Sequence, residues 1–218
     1  MNNILEKSPV NYLEALNWRY ATKKFDASKS LSEADLESLL QAIQLSPSSY
    51  GLQPYVVLVI SDPELKEQLR PACWNQSQIT DASHVLVFAN KKDFDQDLID
   101  SYLNLVSKTR DLPMESLTGY GEFMKSKLLG LDPETKAIWT SHQAYLAAGN
   151  LLSAAAALKI DTCPMEGFEN EIVDDILKLG DRGLTSALIV PVGYRAEEDE
   201  TQFYKKVRRT EEELFIHL

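Results

Sequence analysis

The stretch YVVLVI at residues 55–60 is continuously apolar and rich in β-branched side chains. Such a short run predicts a strand that is covered on both faces, because neither face carries polar side chains for contact with water. Residues 85–88 repeat the pattern, and residues 188–192 indicate a third strand of the same kind. The centre of the fold is therefore predicted to be a sheet with protein packed against both of its faces.

Helical patterns separate these strands, and several begin with a capping residue or with proline in the first turn. The predicted helices cover residues 10–20, run from Ser32 to Pro47, begin at Asp62, run from Asp132 to Lys159, and cover residues 169–179. The stretch 111–130 has two closely spaced glycines and mixed polarity, which predict a mobile excursion over the core. Helices that alternate with buried strands predict a three-layer arrangement in which helices cover the sheet.

The second half of the long helix, residues 145–158, is rich in alanine and apolar on nearly every side. Such a helix is expected to be buried all round. Gln143, Asn150 and Ser153 interrupt the apolar run too often for a membrane span, so we expect the cover to be protein. A subunit interface is the natural candidate for that cover.

Length and charge narrow the class of protein. With 44% hydrophobic residues, the chain can bury a sizeable core, and we expect residues 1–218 to form one domain. A net charge of −11 argues against long duplex nucleic acid as a partner, because phosphate binding there needs a broad basic face. The first ten residues, MNNILEKSPV, lack the pattern of a secretory signal, and no later stretch has the length of a membrane span. A soluble, cytoplasmic protein is therefore expected, without a membrane partner.

Histidine and cysteine are sparse and widely spaced. His84, His142 and His217 show no ligand spacing with one another or with Cys73 and Cys163, so we predict no metal site. Two lone cysteines are more readily interpreted as reduced core thiols than as a disulfide, which is typical of a reducing compartment.

Four segments are candidates for chemistry: RYATK at 19–23, SPSS at 46–49 followed by Gln53-Pro54, PMEGF at 164–168, and KVR at 206–208. Each is weak alone. Arg19 and Lys23 could be solvated charges near a helix end, the basic run at 205–209 could be a surface tail, and SPSS and PMEGF could be ordinary loops. The functional interpretation is that a monophosphate needs several converging cations, and a guanidinium can bind two of its oxygens at once.

The order of the segments carries more weight than any one of them. RYATKKFD, SPSSYGLQP, DASHVLVFA, PMEGF, PVGY and KKVR follow one another as they do in oxygen-insensitive nitroreductases. In this respect the sequence resembles the FMN-dependent nitroreductase family over nearly the whole chain. The resemblance implies an intertwined α+β homodimer that holds FMN non-covalently at the subunit interface, so that each site uses residues from both chains.

The resemblance also implies roles for individual residues. The FMN phosphate is expected to bind Arg19, Lys206 and Arg208, while Tyr20 and Ala21 line the cofactor mainly through their backbone. Lys23, Asn75 and Gln78 are expected at the pyrimidine edge of the flavin, where reduction leaves negative charge at N1 and O2 that a fixed cation stabilises.

The two faces of the flavin are assigned to different chains by the same resemblance. Pro164, Met165, Glu166 and Gly167 are expected against one face, with backbone N–H groups near N5 and O4 and with glycine allowing a close approach of the backbone. From the second subunit, the residues expected at the flavin are Pro47, Ser48, Ser49 and Gln143.

At several positions the sequence departs from close relatives. Ala21 stands where relatives often carry serine, which would remove one hydrogen bond worth roughly 0.5–1.5 kcal/mol. Gln78 replaces a second lysine, so we expect a somewhat lower flavin potential. Tyr50 and Gly51, where relatives carry asparagine at the second position, change the substrate mouth, so acceptor preference does not transfer. Trp74 and the Phe123-Met124 pair are candidate pocket walls, although such residues more often belong to the core.

The implied reaction is a two-step, ping-pong exchange. NADH or NADPH transfers hydride to flavin N5, the oxidised nicotinamide leaves, and a nitroaromatic, quinone or related aromatic acceptor takes two electrons. No catalytic side chain is predicted, because the flavin is the reacting centre and Lys23 and Glu166 tune or line it. The alternatives are a specialised flavoprotein of the same superfamily, a non-catalytic flavin-binding or storage dimer, and a helical interaction protein without a cofactor.

Overall fold

A four-stranded antiparallel sheet forms the centre of the computed structural model, which describes residues 11–218. The strand order is β1-β2-β4-β3. The strands are β1 (Tyr55–Ile60), β2 (His84–Lys91), β3 (Asp161–Thr162) and β4 (Leu184–Gly193). The three predicted strands are confirmed, and the two-residue β3 was not predicted because it is too short to show a pattern. The prediction about a secretory signal falls on residues 1–10 and lies outside the described residues.

Both faces of the sheet are covered along β2, but β1, at the edge of the sheet, is only partly buried. Val56 and Val59 are 44% and 41% exposed, so the prediction that residues 55–60 are covered on both faces is wrong within one chain. Along β2, Val85 and Val87 belong to the core on one side, whereas Leu86 and Phe88 belong to the core on the other. All four side chains are fully buried. The alternation follows from the pleat of a strand, in which successive side chains point to opposite faces. The predicted three-layer arrangement is confirmed.

Helices form the two outer layers and a lateral extension of the fold. Helices α3, α4 and α8 lie on the Val85 face, α2 and α7 on the Leu86 face, and α5 packs with α6 at one side. The helices of the described chain are α1 (Tyr12–Trp18), α2 (Glu33–Gln44), α3 (Pro63–Ala72), α4 (Gln78–Asp81), α5 (Gln96–Arg110), α6 (Thr118–Leu128), α7 (Pro133–Leu158), α8 (Asn170–Ile176) and α9 (Glu211–Leu214).

The first helix is shorter than predicted. It ends at Trp18, and the backbone N–H of Arg19 still bonds to Ala15 before the chain becomes extended at Arg19. Arg19 and Tyr20 therefore lie beyond the helix, where they are held by contacts that no local pattern reveals. The predicted start near Val10 lies outside the described residues.

The prediction for residues 111–130 is wrong. Apart from its first residues and the turn after Leu129, this stretch is a short 3₁₀ turn followed by α6. Leu117, Met124 and Leu128 recur at helical spacing and pack with Leu103 and Val106 of α5, which sequence reasoning also missed. Neither Gly119 nor Gly121 ends the helix. Gly121 lies against Leu103, and a Cβ atom at position 121 would lie 2.7 Å from that side chain, which explains the glycine there.

Helix α7 is covered on only part of its surface in one chain. Ala144, Ala147 and Leu151 are fully buried towards the sheet, whereas Leu146 is 51% exposed. The apolar second half is therefore not buried all round within one chain, as would be expected if another subunit covers it. No helix in the described part of the chain is both long and apolar enough to cross a bilayer.

His84 makes folding stability depend on pH. It begins β2, with Nδ1 2.9 Å from the Ser83 hydroxyl. Burial, and then the charge of Lys66, lower its pKa. Because the unfolded chain takes up this proton more readily, with a pKa of about 6.5, stability is fully present above that pH and falls as the pH drops towards the folded pKa. We expect urea titrations to show a free energy of unfolding that falls as the pH drops below about 6.5, with a shallower slope in His84→Gln. An unchanged slope in the variant would contradict this assignment.

Candidate functional site

Three cations converge where α1 ends. Lys206, in the C-terminal segment, donates a hydrogen bond to the backbone oxygen of Arg19. Burial, and then the charge of Arg208, lower the pKa of Arg19; burial, and then the charges of Arg19 and Arg208, lower the pKa of Lys206. The three side chains thus repel one another. Within residues 11–218, none of them forms an ion pair with a carboxylate.

The Nε atom of Arg19 indicates which kind of ligand suits this cluster. It is buried and has no hydrogen-bond partner in the described part of the chain. A buried donor without a partner costs about 1–3 kcal/mol, so a ligand that supplied acceptors and negative charge would stabilise the site. The structure thus brings together the three residues predicted to bind phosphate, in an arrangement that fits a monophosphate.

Arg195 fixes the chain on either side of Arg19. Its guanidinium carbon lies 4.1 Å from the ring centroid of Trp18 and 4.6 Å from that of Tyr20. The buried Asp161 lies 2.6 Å from Arg195 Nη2 and accepts a hydrogen bond from Nε at 2.8 Å. Because both neighbours of Arg19 pack on one anchored cation, the backbone at Arg19 has little freedom. Sequence reasoning missed Arg195 and Asp161, which carry no local signal.

Asp199 is a second buried anchor. Its Oδ2 accepts hydrogen bonds from the Tyr20 hydroxyl at 2.9 Å and from the backbone N–H groups of Lys23 at 2.8 Å and Lys24 at 3.1 Å. Its Oδ1 accepts one from the backbone N–H of Thr201 at 3.0 Å. Burial alone would raise the pKa of Asp199, but these donors lower it, so the side chain is an anion. It connects residues 20–24 to the chain that leads to Lys206.

Cys163 lies among several of the predicted residues. It is free and 2% exposed, as predicted for a core thiol. Burial raises its pKa, while the charge of Lys23, a hydrogen bond with Gln78 and the charge of Arg19 oppose that rise. The thiol is therefore protonated, and Gln78 contacts it directly. Gln78 is buried and Lys23 is exposed. Ala21 also belongs to this region, since it bridges to Thr162 beside Cys163.

Residues 164–167 are fixed against the sheet. The backbone N–H of Met165 donates to Ile189 of β4 at 2.8 Å, and Ile189 donates back at 3.1 Å. Pro164 is half-buried, Met165 is buried and Glu166 is exposed. The Tyr145 hydroxyl, from α7, donates to Glu166 Oε1 at 2.7 Å. Burial and this hydrogen bond raise the pKa of Tyr145 to about 12, so it remains a donor. Sequence reasoning missed Tyr145.

Trp74 packs directly on Gly167. A Cβ atom at position 167 would lie 2.8 Å from the Trp74 ring. The indole N–H donates to Glu169 at 2.8 Å, and the Gln76 amide donates to the backbone oxygen of Gly167 at 3.0 Å. Glycine is predicted here for a close approach of flavin, and the structure adds the requirement of space for Trp74. Asn75 is exposed and, like Trp74, has positive φ.

Replacing Gly167 by alanine should displace Trp74. We expect the free energy of unfolding, measured with urea, to fall by about 1–3 kcal/mol because the added methyl group overfills the contact. In a Trp74→Ala background the same change should cost much less, since the clashing ring is gone. An equal cost in both backgrounds would show that Trp74 does not restrict position 167.

The residues predicted to reach the flavin from the second subunit lie together, in the SPSS loop (residues 46–49) and on α7. The backbone N–H of Ser49 donates to Gln143 Oε1 at 2.8 Å, and Gln143 is 5% exposed. Asn150, also on α7, donates to the Ser46 hydroxyl at 3.0 Å. Pro47 is exposed and Ser48 is half-buried between these two anchors. The SPSS segment is thus a loop fastened to α7.

The SPSS loop and the 164–167 segment lie on opposite flanks of α7. Gln143 and Tyr145 are two residues apart, so their side chains point about 200° apart around the helix axis. Gln143 binds the Ser49 loop, whereas Tyr145 binds Glu166 of the 164–167 segment. One chain therefore does not gather all the predicted residues at one place.

Aromatic side chains lie beside the SPSS loop. Tyr50 and Gly51 have φ values of 56° and 79°. A Cβ atom at Gly51 would lie 2.7 Å from the Tyr102 hydroxyl, which explains glycine there. The Tyr50 and Phe123 rings meet edge to face, with centroids 6.4 Å apart. Phe123 is 48% exposed and stays a candidate wall, but the prediction for Met124 is wrong, since it is fully buried where α5 packs on α6.

Residues 16–194 match the family model described as the nitroreductase family. The YfkO protein of Bacillus subtilis, described as a candidate NAD(P)H nitroreductase, is 38% identical over 200 residues, which cover 85% of this chain and 89% of that protein.

Two solved structures share the fold. The candidate nitroreductase YdfN of Bacillus subtilis superposes with a TM-score of 0.85 at 22% identity, covering 95% of this chain and 98% of its own. A candidate nitroreductase from Exiguobacterium sibiricum, solved in complex with FMN, superposes with a TM-score of 0.82 at 20% identity and covers 97% of this chain and 99% of its own. The α+β fold class is thereby confirmed.

Proposed function

This chain belongs to the nitroreductase family, and from that premise we propose that it is an FMN-dependent oxidoreductase that passes two electrons from NADH or NADPH to an aromatic acceptor. The resemblance inferred from the order of the segments is confirmed. FMN as cofactor is supported by the FMN-bound structure from Exiguobacterium sibiricum, and NAD(P)H as electron donor by the description of the YfkO relative.

The single observation that carries the proposal is the cation cluster at Arg19, Lys206 and Arg208. Three mutually repelling cations stand together in a chain of net charge −11, with no ion-pairing carboxylate among residues 11–218. We infer that the FMN phosphate binds there, with Arg19 Nε as one donor. The phosphate would restore both the missing charge and the missing acceptor.

The flavin ring extends, in this proposal, over the residues around Cys163. Lys23 and Gln78 are available for the pyrimidine edge, and Asn75 is exposed nearby in the same chain. The fixed segment Pro164 to Gly167 would lie against one face of the ring. Gln78 brings a dipole where lysine would bring a charge, so a lower flavin potential than in lysine-bearing relatives is expected.

We also propose that the working unit is a homodimer with FMN at the subunit interface. The SPSS group would then be supplied by the partner, because within one chain it lies on the opposite flank of α7 from Glu166. Exposed apolar side chains support a covering partner, including Leu146 at 51% on α7 and Phe215 and Ile216 at 56% and 86% near the C-terminus.

Bound FMN supplies the two-electron chemistry, so the chain itself needs no nucleophile or metal. Its own residues bind the phosphate, hold a cation near the edge of the ring where charge develops, and keep the 164–167 segment rigid. The exposed rings of Trp74 and Phe123 and the half-buried ring of Tyr50 suit planar aromatic compounds, which supports nitroaromatics, quinones or related molecules as acceptors.

The experiment that tests this function separates its two half-reactions. The purified protein is reduced anaerobically with NADH or NADPH, freed of nicotinamide, and then mixed with nitroaromatics, quinones and pteridines. We expect reduction before any acceptor is present, reoxidation by at least one class of acceptor, and parallel double-reciprocal plots in steady-state assays. A flavin that stays oxidised with both nicotinamides would favour a flavin-storage dimer instead.

A further inference from the structure

Asp199 differs from the acidic residues around it. Residues 197–200 read EEDE, and the three glutamates are exposed whereas Asp199 is 1% exposed. Burying a carboxylate is costly unless hydrogen bonds replace its water. The four donors on Asp199 replace that water, and three of them come from the short segment 20–24.

The donors show what the buried carboxylate controls. Two are the consecutive backbone N–H groups of Lys23 and Lys24, which share one oxygen with the Tyr20 hydroxyl. The backbone oxygen of Lys24 in turn accepts a hydrogen bond from Ala196 at 2.9 Å. The backbone at residues 23 and 24 is therefore held through both N–H groups and through the C=O group of Lys24, while the Lys23 side chain lies outside this network and is exposed.

We propose that Asp199 is a positioning residue for the flavin site, which fixes residues 20–24 so that the Lys23 ammonium stands at the edge of the bound flavin. The inference rests on the proposed function and deepens it. Asp199 acts through Lys23 and does not itself contact the cofactor.

The sign of the change in flavin potential distinguishes this role from a direct electrostatic one. If Asp199 acted as a nearby negative charge, its removal would raise the potential of the bound flavin. If it positions Lys23, its removal lowers the potential, because the cation that stabilises reduced flavin is no longer held in place. A purely structural role would change stability and leave the potential unaltered.

The test uses the holoenzyme and four variants: Asp199→Asn, Lys23→Ala, their combination, and Asp174→Asn as a matched control. Asp174 also accepts three hydrogen bonds, from Thr185 and twice from Ser186, but none of its donors belongs to residues 19–24. The midpoint potential of bound FMN and its dissociation constant are measured for each variant, together with stability of the apoprotein.

We expect Asp199→Asn to lower the potential and to weaken FMN binding roughly tenfold, the effect of losing one charge-assisted hydrogen bond. In the Lys23→Ala background the same substitution should produce no further fall in potential. The Asp174→Asn control should lose stability at an unchanged potential. If Asp199→Asn does not fold, Tyr20→Phe, which removes one donor to Asp199, is judged by the same criteria.

A raised or unchanged potential in Asp199→Asn, an equal fall in both Lys23 backgrounds, or an equal fall in Asp174→Asn would overturn the inference. The proposed function fails separately, namely if the unsubstituted protein binds no FMN. A third outcome is that the wild-type protein binds FMN, Lys23→Ala lowers the flavin potential, and Asp199→Asn leaves it unchanged. In that case the proposed function stands and only the role of Asp199 is refuted.

Discussion

Replacing Arg19 by methionine is expected to weaken FMN binding roughly 100-fold, because a guanidinium that grips two phosphate oxygens is replaced by an apolar side chain of similar length. The same change should leave the apoprotein as stable as before, or more stable. The reason is that it removes one of three mutually repelling cations and a buried donor without a partner among the described residues. Fluorescence titration with FMN and urea unfolding of the apoprotein measure the two effects.

A ligand site and a structural cluster predict different results for Arg19→Met. At a ligand site the FMN affinity falls while the stability of the apoprotein is kept or increased. Arg182→Met is the matched control, since Arg182 lies in the exposed turn before β4 and belongs to neither group of predicted residues. It should change neither quantity appreciably. If Arg19→Met destabilised the apoprotein by several kcal/mol and left FMN affinity intact, the cluster would have a structural role and the phosphate assignment would be wrong.

The second large effect is expected from mixing two inactive variants. Arg19→Met damages the cation cluster that is proposed to bind the phosphate. Ser49→Trp places a large side chain in the SPSS loop and keeps the hydrogen bond from the Ser49 backbone to Gln143. In a homodimer that builds each site from both chains, a mixed dimer regains one intact site out of two. Random reassortment of equal amounts should therefore restore about a quarter of the wild-type sites.

Flavin content and NAD(P)H-dependent activity of the mixture, after co-refolding, measure this restoration. Each variant alone should show little of either. No recovery in verified mixed dimers would mean that both groups of residues serve the same chain's site, which contradicts the shared-site arrangement. Combining both substitutions in one chain and mixing it with wild-type chains provides the control, because each mixed dimer then has two sites with one damaged group each.

Local features of the chain were predictable because they follow from adjacent residues. The run at 55–60 identified a strand, although not its partial exposure at the edge of the sheet, and Asp132 with Pro133 identified the start of α7, since both signals lie within one turn or one strand. Helix α5 was not predicted, although Asp95 caps it and Ile99, Leu103 and Val106 recur at helical spacing. The helix in 111–130 was missed because Gly119 and Gly121 favour a loop when only the local sequence is considered.

The candidate site was predictable only through the order of its segments. Arg19, Lys23 and Lys206 carry no pattern that separates them from surface charges, and the fold brings them together from the two ends of the described chain. Asp199 stands in the acidic run 197–200, and nothing in the sequence separates it from the three exposed glutamates beside it. Its burial depends on donors from residues 20–24, a contact between distant parts of the chain that no local periodicity encodes.

The central claim is that this chain binds FMN and that a nicotinamide reduces it. The most direct measurement is an anaerobic titration of the purified protein with NADH and with NADPH, followed in the visible absorption band of the flavin. We expect a yellow protein with one FMN per chain, whose colour is bleached by at least one of the two nicotinamides in the absence of any acceptor. A colourless protein that gains no flavin on incubation with FMN, or a bound flavin that neither nicotinamide bleaches, would contradict it.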